Sequence, residues 1–171
     1  RSMVIYFYKL SGPYGCFSNF SPHWVDLKGD YWPTSEHFYQ AQKFVGSPDE
    51  ALITKIRRAA TPAKAAALGR DPNHRMRSDW DHVKQGVMYQ VVREKFRRHR
   101  DIQDVLLGTG EERLIEDSPT DYYWGCGATG DGQNHLGRIL MAIREELRQG
   151  SKRDSRLVLS AATGLPKGAF E

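Results

Sequence analysis

The chain has 171 residues, of which 25 are Lys or Arg and 21 are Asp or Glu, for a formal net charge of +4. Hydrophobic residues make up 39% and charged residues 27%, with a mean hydropathy of -0.63. This is a globular balance, which excludes a disordered chain, and no apolar run approaches the roughly 20 residues of a membrane span.

The length predicts one domain with a core that needs no disulfides. No charged-then-apolar leader precedes Met3, so no secretory signal is expected, and Arg1 and Ser2 read as additions before a natural start. Cys16 and Cys126 are too few and too isolated for a disulfide framework. A reducing cytoplasm is therefore the expected location. The basic tilt permits polyanionic partners without requiring them.

In chain order, Val4-Ile5-Tyr6-Phe7-Tyr8 is rich in β-branched and aromatic residues and predicts a strand. Trp24 to Leu27 and Tyr31-Trp32 flank Lys28-Gly29-Asp30 as a small hairpin, which Pro33 ends because proline cannot donate to a ladder. Thr34 caps a helix running to about Val45, with Gly46 as its stop. Ser47-Pro48-Asp49-Glu50 carries the signature of a further helix start. Thr61-Pro62 starts a short alanine-rich helix ended by Gly69, and Ser78 with Asp81 caps a long one. Asp101 to Leu107 is a short helix and Arg113-Leu114-Ile115 a brief strand. Leu136, Leu140, Ile143 and Leu147 recur at helical spacing. Residues 150–171, small and basic, read as a C-terminal tail ordered by Leu157, Val158 and Leu159. The expected fold is α+β: one mainly helical domain over residues 4–149 with a small N-terminal antiparallel β element.

Four constellations stand out. On the helix after Pro33, Glu36, Gln40 and Lys43 share one narrow face opposite Phe38, Ala41 and Val45. Such a face is either a row of chemical groups or an ordinary solvated surface. In Glu116 to Gly125, carboxylates sit beside aromatic rings, as in a site that stacks a flat base and meets developing positive charge; a loop plugging the core has the same look. The stretch Gly125 to Asn134 contains G-x-G-x-x-G without the βαβ context of a dinucleotide fold. It is a long turn or a loop presenting N–H groups to phosphate. Arg93 to Arg100 is the densest basic run and reads as a solvated helix end. The six histidines are scattered without ligand spacing, so no metal and no other cofactor is expected.

Together these residues resemble the NADAR (YbiA-like) family. The matching pieces are Phe7-Tyr8, Gly15 to Phe20, Trp32 to Phe44, Gly69-Arg70, Arg77 with Trp80, Lys84 with Met88, Asp121 with Tyr123-Trp124-Gly125, and Asn134 with Leu136-Gly137. The resemblance implies cleavage of an N-glycosidic bond between ribose C1 and an exocyclic amine of a guanine-like ring. The substrate would be ADP-ribose on guanine, in nucleic acid for example, or a ribosylamino-pyrimidine phosphate of riboflavin synthesis. A non-catalytic ADP-ribose reader would use the same pocket, and no membrane partner is implied. Under the resemblance Glu36 and Asp121 are the carboxylates that meet ribose charge or direct water. Lys43 donates a proton or attacks an opened ribose. Trp80 and Trp124 stack on a ring. Arg70, Arg77 and the loop from Gly125 to Asn134 hold phosphates. Tyr8, Phe17, Ser18, Asn19 and Gln40 complete the substrate contacts.

Overall fold

The computed structural model describes residues 3–163. The reading of Arg1 and Ser2, and of the tail from 164 to 171, lies outside those residues. The elements are β1 (Val4–Phe7), β2 (Val25–Leu27), β3 (Asp30–Trp32), α1 (Ser35–Gln42), α2 (Leu52–Arg57), α3 (Pro62–Arg70), α4 (Trp80–Arg98), α5 (Arg100–Gly108), β4 (Arg113–Glu116) and α6 (His135–Thr163). The fold is the mainly helical α+β arrangement the sequence predicts.

The hairpin forms as expected, β2 antiparallel to β3 with Leu27 opposite Asp30. Lys28 and Gly29 both have positive φ, 56° and 82°. That is the geometry a two-residue hairpin turn needs to match strand twist. A second pairing comes from far along the chain: β1 runs parallel to β4, with Val4 opposite Arg113 and Phe7 opposite Glu116. Because the pair is parallel, the chain leaves both strands at the same end. The segments after Phe7 and after Glu116 therefore emerge side by side, joined where Asp117 N–H donates to Phe7 O at 2.8 Å.

Helix α1 is buried over its whole length, Ser35 through Gln42. Phe38, Ala41 and Phe44 enter the core, and Trp32 meets the Phe38 ring edge-on at 5.3 Å. Helices α2, α3 and α4 wrap the remaining sides. Thr34 caps α1 as predicted: its Oγ1 accepts the His37 N–H at 3.2 Å and lies 2.7 Å from His37 Nδ1. The turn from Lys43 to Val45 tightens into i→i−3 bonds before Gly46, whose φ is +70°.

Other element starts shift for local reasons. Ser47 Oγ accepts the Asp49 N–H and Glu50 Oε2 accepts the Gly46 N–H, so these groups close a tight turn and α2 begins only at Leu52. Helix α4 begins at Trp80 rather than after Ser78, and the Asp79 carboxylate is occupied by Arg77. Helix α6 passes straight through Gly150, so the expected tail is helical to Thr163, and Leu157, Val158 and Leu159 are exposed. In the basic run, Arg93 and Arg98 make surface pairs with Glu146 and Glu94. Lys95 instead turns inward, fully buried. Its Nζ donates to Cys16 O at 2.6 Å and Ser18 O at 2.9 Å, pinning the loop that precedes β2.

Two substitutions test how α1 is held. Thr34→Ala removes the cap and leaves the buried His37 ring nitrogen without its partner, and should cost about 1–3 kcal/mol. Gly69 on α3 lies so close to α1 that a Cβ there would fall 2.0 Å from Gln40 Oε1 and 2.8 Å from Gln40 Cβ. Gly69→Ala overpacks this contact and should cost about 1–3 kcal/mol. Urea unfolding of each variant, followed by circular dichroism, measures both.

Candidate active site

The polar face of α1 forms one wall of a cavity of about 780 Å³, within the range of small-molecule sites. The other walls are the segment 8–10 after β1, the loop 18–20, the end of α3, and the loop 116–124 after β4. The parallel β1–β4 pair delivers the first and last of these walls to the same place.

Glu36 sits in the first turn of α1, where the helix N-terminus favours a negative charge. Its residue exposure is 5%, against 1% for Gln40 and 9% for Lys43. Gln40 Nε2 donates to Glu36 Oε1 at 2.7 Å, and Arg70 Nη2 stands 3.8 Å from the same oxygen. Burial pushes the Glu36 carboxyl above its usual range. The Gln40 hydrogen bond and the Arg70 and Lys43 cations oppose that, and Asp121 adds to it. Lys43 Nζ donates to Gly69 O at 3.3 Å and lies 5.7 Å from the centre of the Tyr39 ring. Burial lowers its ammonium to about 8 despite the attraction of Glu36. An amine of that kind has a substantial neutral fraction near neutral pH, which nucleophilic chemistry requires.

Facing this wall, Asp121 Oδ1 accepts the N–H groups of Tyr123 at 2.9 Å and Trp124 at 2.7 Å, while its own N–H donates to Ser118 Oγ. The carboxylate thus shapes the loop that carries the rings. Trp124 Nε1 donates to the Tyr39 hydroxyl at 3.2 Å, and the two rings meet edge-on at 5.5 Å. Tyr123 lies beneath the Lys84 ammonium at 3.9 Å, a cation–π contact at the rim.

The structure gathers Tyr8, Ser18, Asn19, Glu36, Gln40, Lys43, Arg70, Asp121 and Trp124 around the cavity. The Asn19 side chain is partly committed: Oδ1 accepts from Ser35 Oγ at 2.9 Å and Nδ2 reaches Met88 Sδ at 3.2 Å.

Five other expected contacts fall elsewhere. Phe17 is a core ring packed against Phe7, Tyr14 and Phe96, because the loop turns its neighbour Ser18 to the cavity instead. Arg77 is turned to Asp79 by a two-point bond from Nε and Nη2 at 2.6 and 3.0 Å, and its backbone N–H donates to Lys43 O at 2.8 Å. Trp80 is buried behind the wall, edge-on to Tyr39 at 5.2 Å, and supports that ring rather than a ligand. Gly125 and Asn134 belong to a closed clasp. The N–H groups of Cys126, Gly132, Gln133, Asn134, His135 and Leu136 all bond within the protein, which leaves them unavailable to a phosphate. Asn134 Oδ1 accepts the Glu116 N–H and its Nδ2 donates to Leu114 O, locking β4 to the start of α6.

Residues that sequence reasoning passed over also line the cavity: Tyr39, Met88, Glu116 and Tyr123. Tyr39 was findable, since it stands at helical spacing from both Glu36 and Lys43. Glu116 was visible only as one acid among several, and its burial at the end of β4 is a tertiary fact.

Among the described residues no cluster of three or more His, Cys, Asp or Glu is arranged to hold a metal ion, and no helix is long and apolar enough to cross a membrane.

With this geometry in hand, comparison with known proteins is specific. The NADAR domain model matches residues 6–148. A protein of Nostoc punctiforme named as an N-glycosidase is 59% identical over 146 residues, covering 85% of this chain and 94% of that protein. The N-glycosidase YbiA of Escherichia coli is 44% identical over 147 residues, covering 86% and 90%. A maize chloroplastic riboflavin biosynthesis protein is 42% identical over 156 residues, covering 84% of this chain but 25% of that protein. The NMR structure of E. coli YbiA superposes with a TM-score of 0.80 at 42% identity, covering 88% of each chain. A family match over most of the chain, near-complete coverage of these two N-glycosidases and a shared fold lead to one conclusion: the chain belongs to the NADAR family.

Proposed function

We propose that this chain is an N-glycosidase that acts in the cytoplasm and removes ADP-ribose from the exocyclic amine of guanine, including guanine in nucleic acid. One observation carries the reading: a buried carboxylate and a lysine of lowered basicity share one helix face, across a cavity from acids and aromatic rings. Hydrolysis at ribose C1 develops positive charge on the sugar, which needs a carboxylate in a dry setting. A planar leaving base needs a ring to lie against, and Trp124 on the cavity wall supplies one. The ionisable groups support catalysis over mere reading of ADP-ribose, since binding alone would not repay the burial of Glu36 and Lys43.

The cations lining the cavity, Lys9 and Arg70, suit a phosphorylated sugar. The cavity, at about 780 Å³, has room for a ribosylated base carrying phosphate groups. Two such cations suit the diphosphate of ADP-ribose better than the single phosphate of the riboflavin intermediate.

In the proposed sequence the ribose ring opens to leave an imine between C1 and the base nitrogen. The neutral Lys43 amine adds to C1, and the bond from C1 to the base nitrogen then breaks with its electron pair going to that nitrogen. Water hydrolyses the resulting lysine imine and releases ADP-ribose. Glu36, beside Lys43, stabilises the cationic stages and takes up the proton that Lys43 loses on adding to C1.

Incubating the protein with guanine-linked ADP-ribose should release free ADP-ribose, measured by chromatography. Glu36→Gln should fold normally and lower turnover at least about a hundredfold. Lys43→Arg should be nearly as inactive as Lys43→Ala while still binding ADP-ribose, because a guanidinium does not lose its proton at ordinary pH. Borohydride added during turnover should fix ADP-ribose to Lys43, read by mass spectrometry. Full activity in Lys43→Arg would return this lysine to a purely structural role.

A further inference from the structure

We propose that Glu116 is the general acid of this site, delivering the proton that the departing base nitrogen requires. The inference rests on the reading of the site given above and adds a residue whose role that reading leaves open. Glu116 is the last residue of β4, and its backbone is fixed on every side. It pairs with Phe7 in the sheet, its N–H donates to Asn134 Oδ1 at 3.0 Å, and its carbonyl accepts the Cys126 N–H at 2.9 Å. The carboxyl group itself has no such anchorage. It lines the cavity, and its Oε2 is buried without a hydrogen-bond partner. Buried polar atoms are nearly always satisfied, and a carboxyl oxygen with no donor beside it has nothing to support a negative charge, so this cavity-lining carboxyl favours its protonated form.

The charged surroundings say which form that carboxyl takes. Asp121 on the following loop and Glu36 on α1 face it as like charges, Arg70 on α3 opposes them, and the Cys126 thiol lies nearby. Burial together with the two acids raises Glu116 to about 7. Three carboxyl groups on one cavity cannot all be ionised cheaply, and environment assigns them different forms. Glu36 has Gln40, Arg70 and Lys43 to support its charge, and Asp121 Oδ1 is held by two N–H groups. Glu116 shares only the Arg70 cation, and its Oε2 accepts no hydrogen bond, so the proton rests there. In the step itself the bond from C1 to the base nitrogen breaks, its electron pair stays on nitrogen, and the Glu116 proton moves to that nitrogen. Glu116 is left as a carboxylate, which is reprotonated from water in the hydrolysis that follows.

The active form therefore needs Lys43 neutral and Glu116 protonated. Activity should rise with pH as Lys43, at about 8, loses its proton, and fall as Glu116, at about 7, loses its own. The product is a bell with its maximum roughly midway between the two. The experiment compares kcat and its pH profile for the unaltered protein, Glu116→Gln and Glu116→Asp, on guanine-linked ADP-ribose. Glu116→Gln should lower kcat at least about a hundredfold with little change in KM, and the alkaline fall should disappear. The loss should shrink on substrates whose departing nitrogen is less basic. Glu116→Asp should keep the alkaline fall at a reduced rate, which serves as the test if the glutamine variant does not fold.

A folded Glu116→Gln protein with normal kcat overturns the proposal, as does one with reduced kcat and an unchanged alkaline fall. If the unaltered protein leaves guanine-linked ADP-ribose intact but cleaves a ribosylamino-pyrimidine phosphate, the substrate reading fails and the same comparison on that substrate decides Glu116. Cleavage of neither overturns both.

Discussion

The structure depends on burying a polar helix face. Helix α1 is enclosed on all sides, yet it carries a carboxylate, an amide and an amine at intervals of one turn. Left unpaired in a core, such groups would cost several kcal/mol. The fold meets that cost by bringing the partners in from α3. Gly69 gives its carbonyl to Lys43, Arg70 sets its guanidinium near Glu36, and the missing Cβ of Gly69 makes room for the Gln40 side chain. The rest of the architecture follows as support. Helix α4 closes the far side through Trp80 and Met88, and Lys95 holds the loop that carries Ser18 and Asn19 against the start of α1. The Asn19 carbonyl accepts the Glu36 N–H at 3.2 Å, so that loop and the helix N-terminus are one unit.

The second organising device is the parallel pair of β1 and β4. Two strands of four residues contribute little stability by themselves. Their value is positional. They bring the N-terminal segment and the acidic aromatic loop to the same rim, and the clasp made by Asn134 fixes that rim to α6. The glycine-rich stretch serves this clasp. Gly127, at φ +70°, passes so near the Tyr122 ring that a Cβ would lie 2.4 Å from it. Gly125, Gly127 and Gly132 allow close backbone approach, and the N–H groups of Cys126 and of Gly132 to Leu136 are spent inside the protein. A motif that looks like a phosphate cradle in sequence is a hinge pin in three dimensions.

Much of this was legible from the chain. The hairpin turn, the cap at Thr34, the alignment of Glu36, Gln40 and Lys43, and the apolar stripe of α6 all follow from local periodicity and turn chemistry. What misled were residues whose type fits a role that another partner had already filled. Arg77 is the right chemistry for phosphate, but Asp79 two residues on takes its Nε and one arm, Nη2. Trp80 is the right ring for stacking, but it sits one layer behind the cavity wall. Ser47 and Glu50 carry the right letters for a helix start, but they close a turn on each other's neighbours.

The sequence by itself determined which residues could share a helix face, where chain direction had to change, and the family to which the chain belongs. Those properties are set by spacing and by local backbone preference, and they do not depend on what lies across the core. Only the tertiary structure decided that the polar face of α1 looks into a cavity rather than into water. Only it decided that Lys95 in a basic run is buried while Arg93 and Arg98 beside it are not, and that Glu116 rather than another acid of its loop meets Glu36 and Asp121. Each of those outcomes turns on which surfaces pack together over long sequence separations. Burial and opposing charge, which set the chemistry of an ionisable group, are properties of that packing.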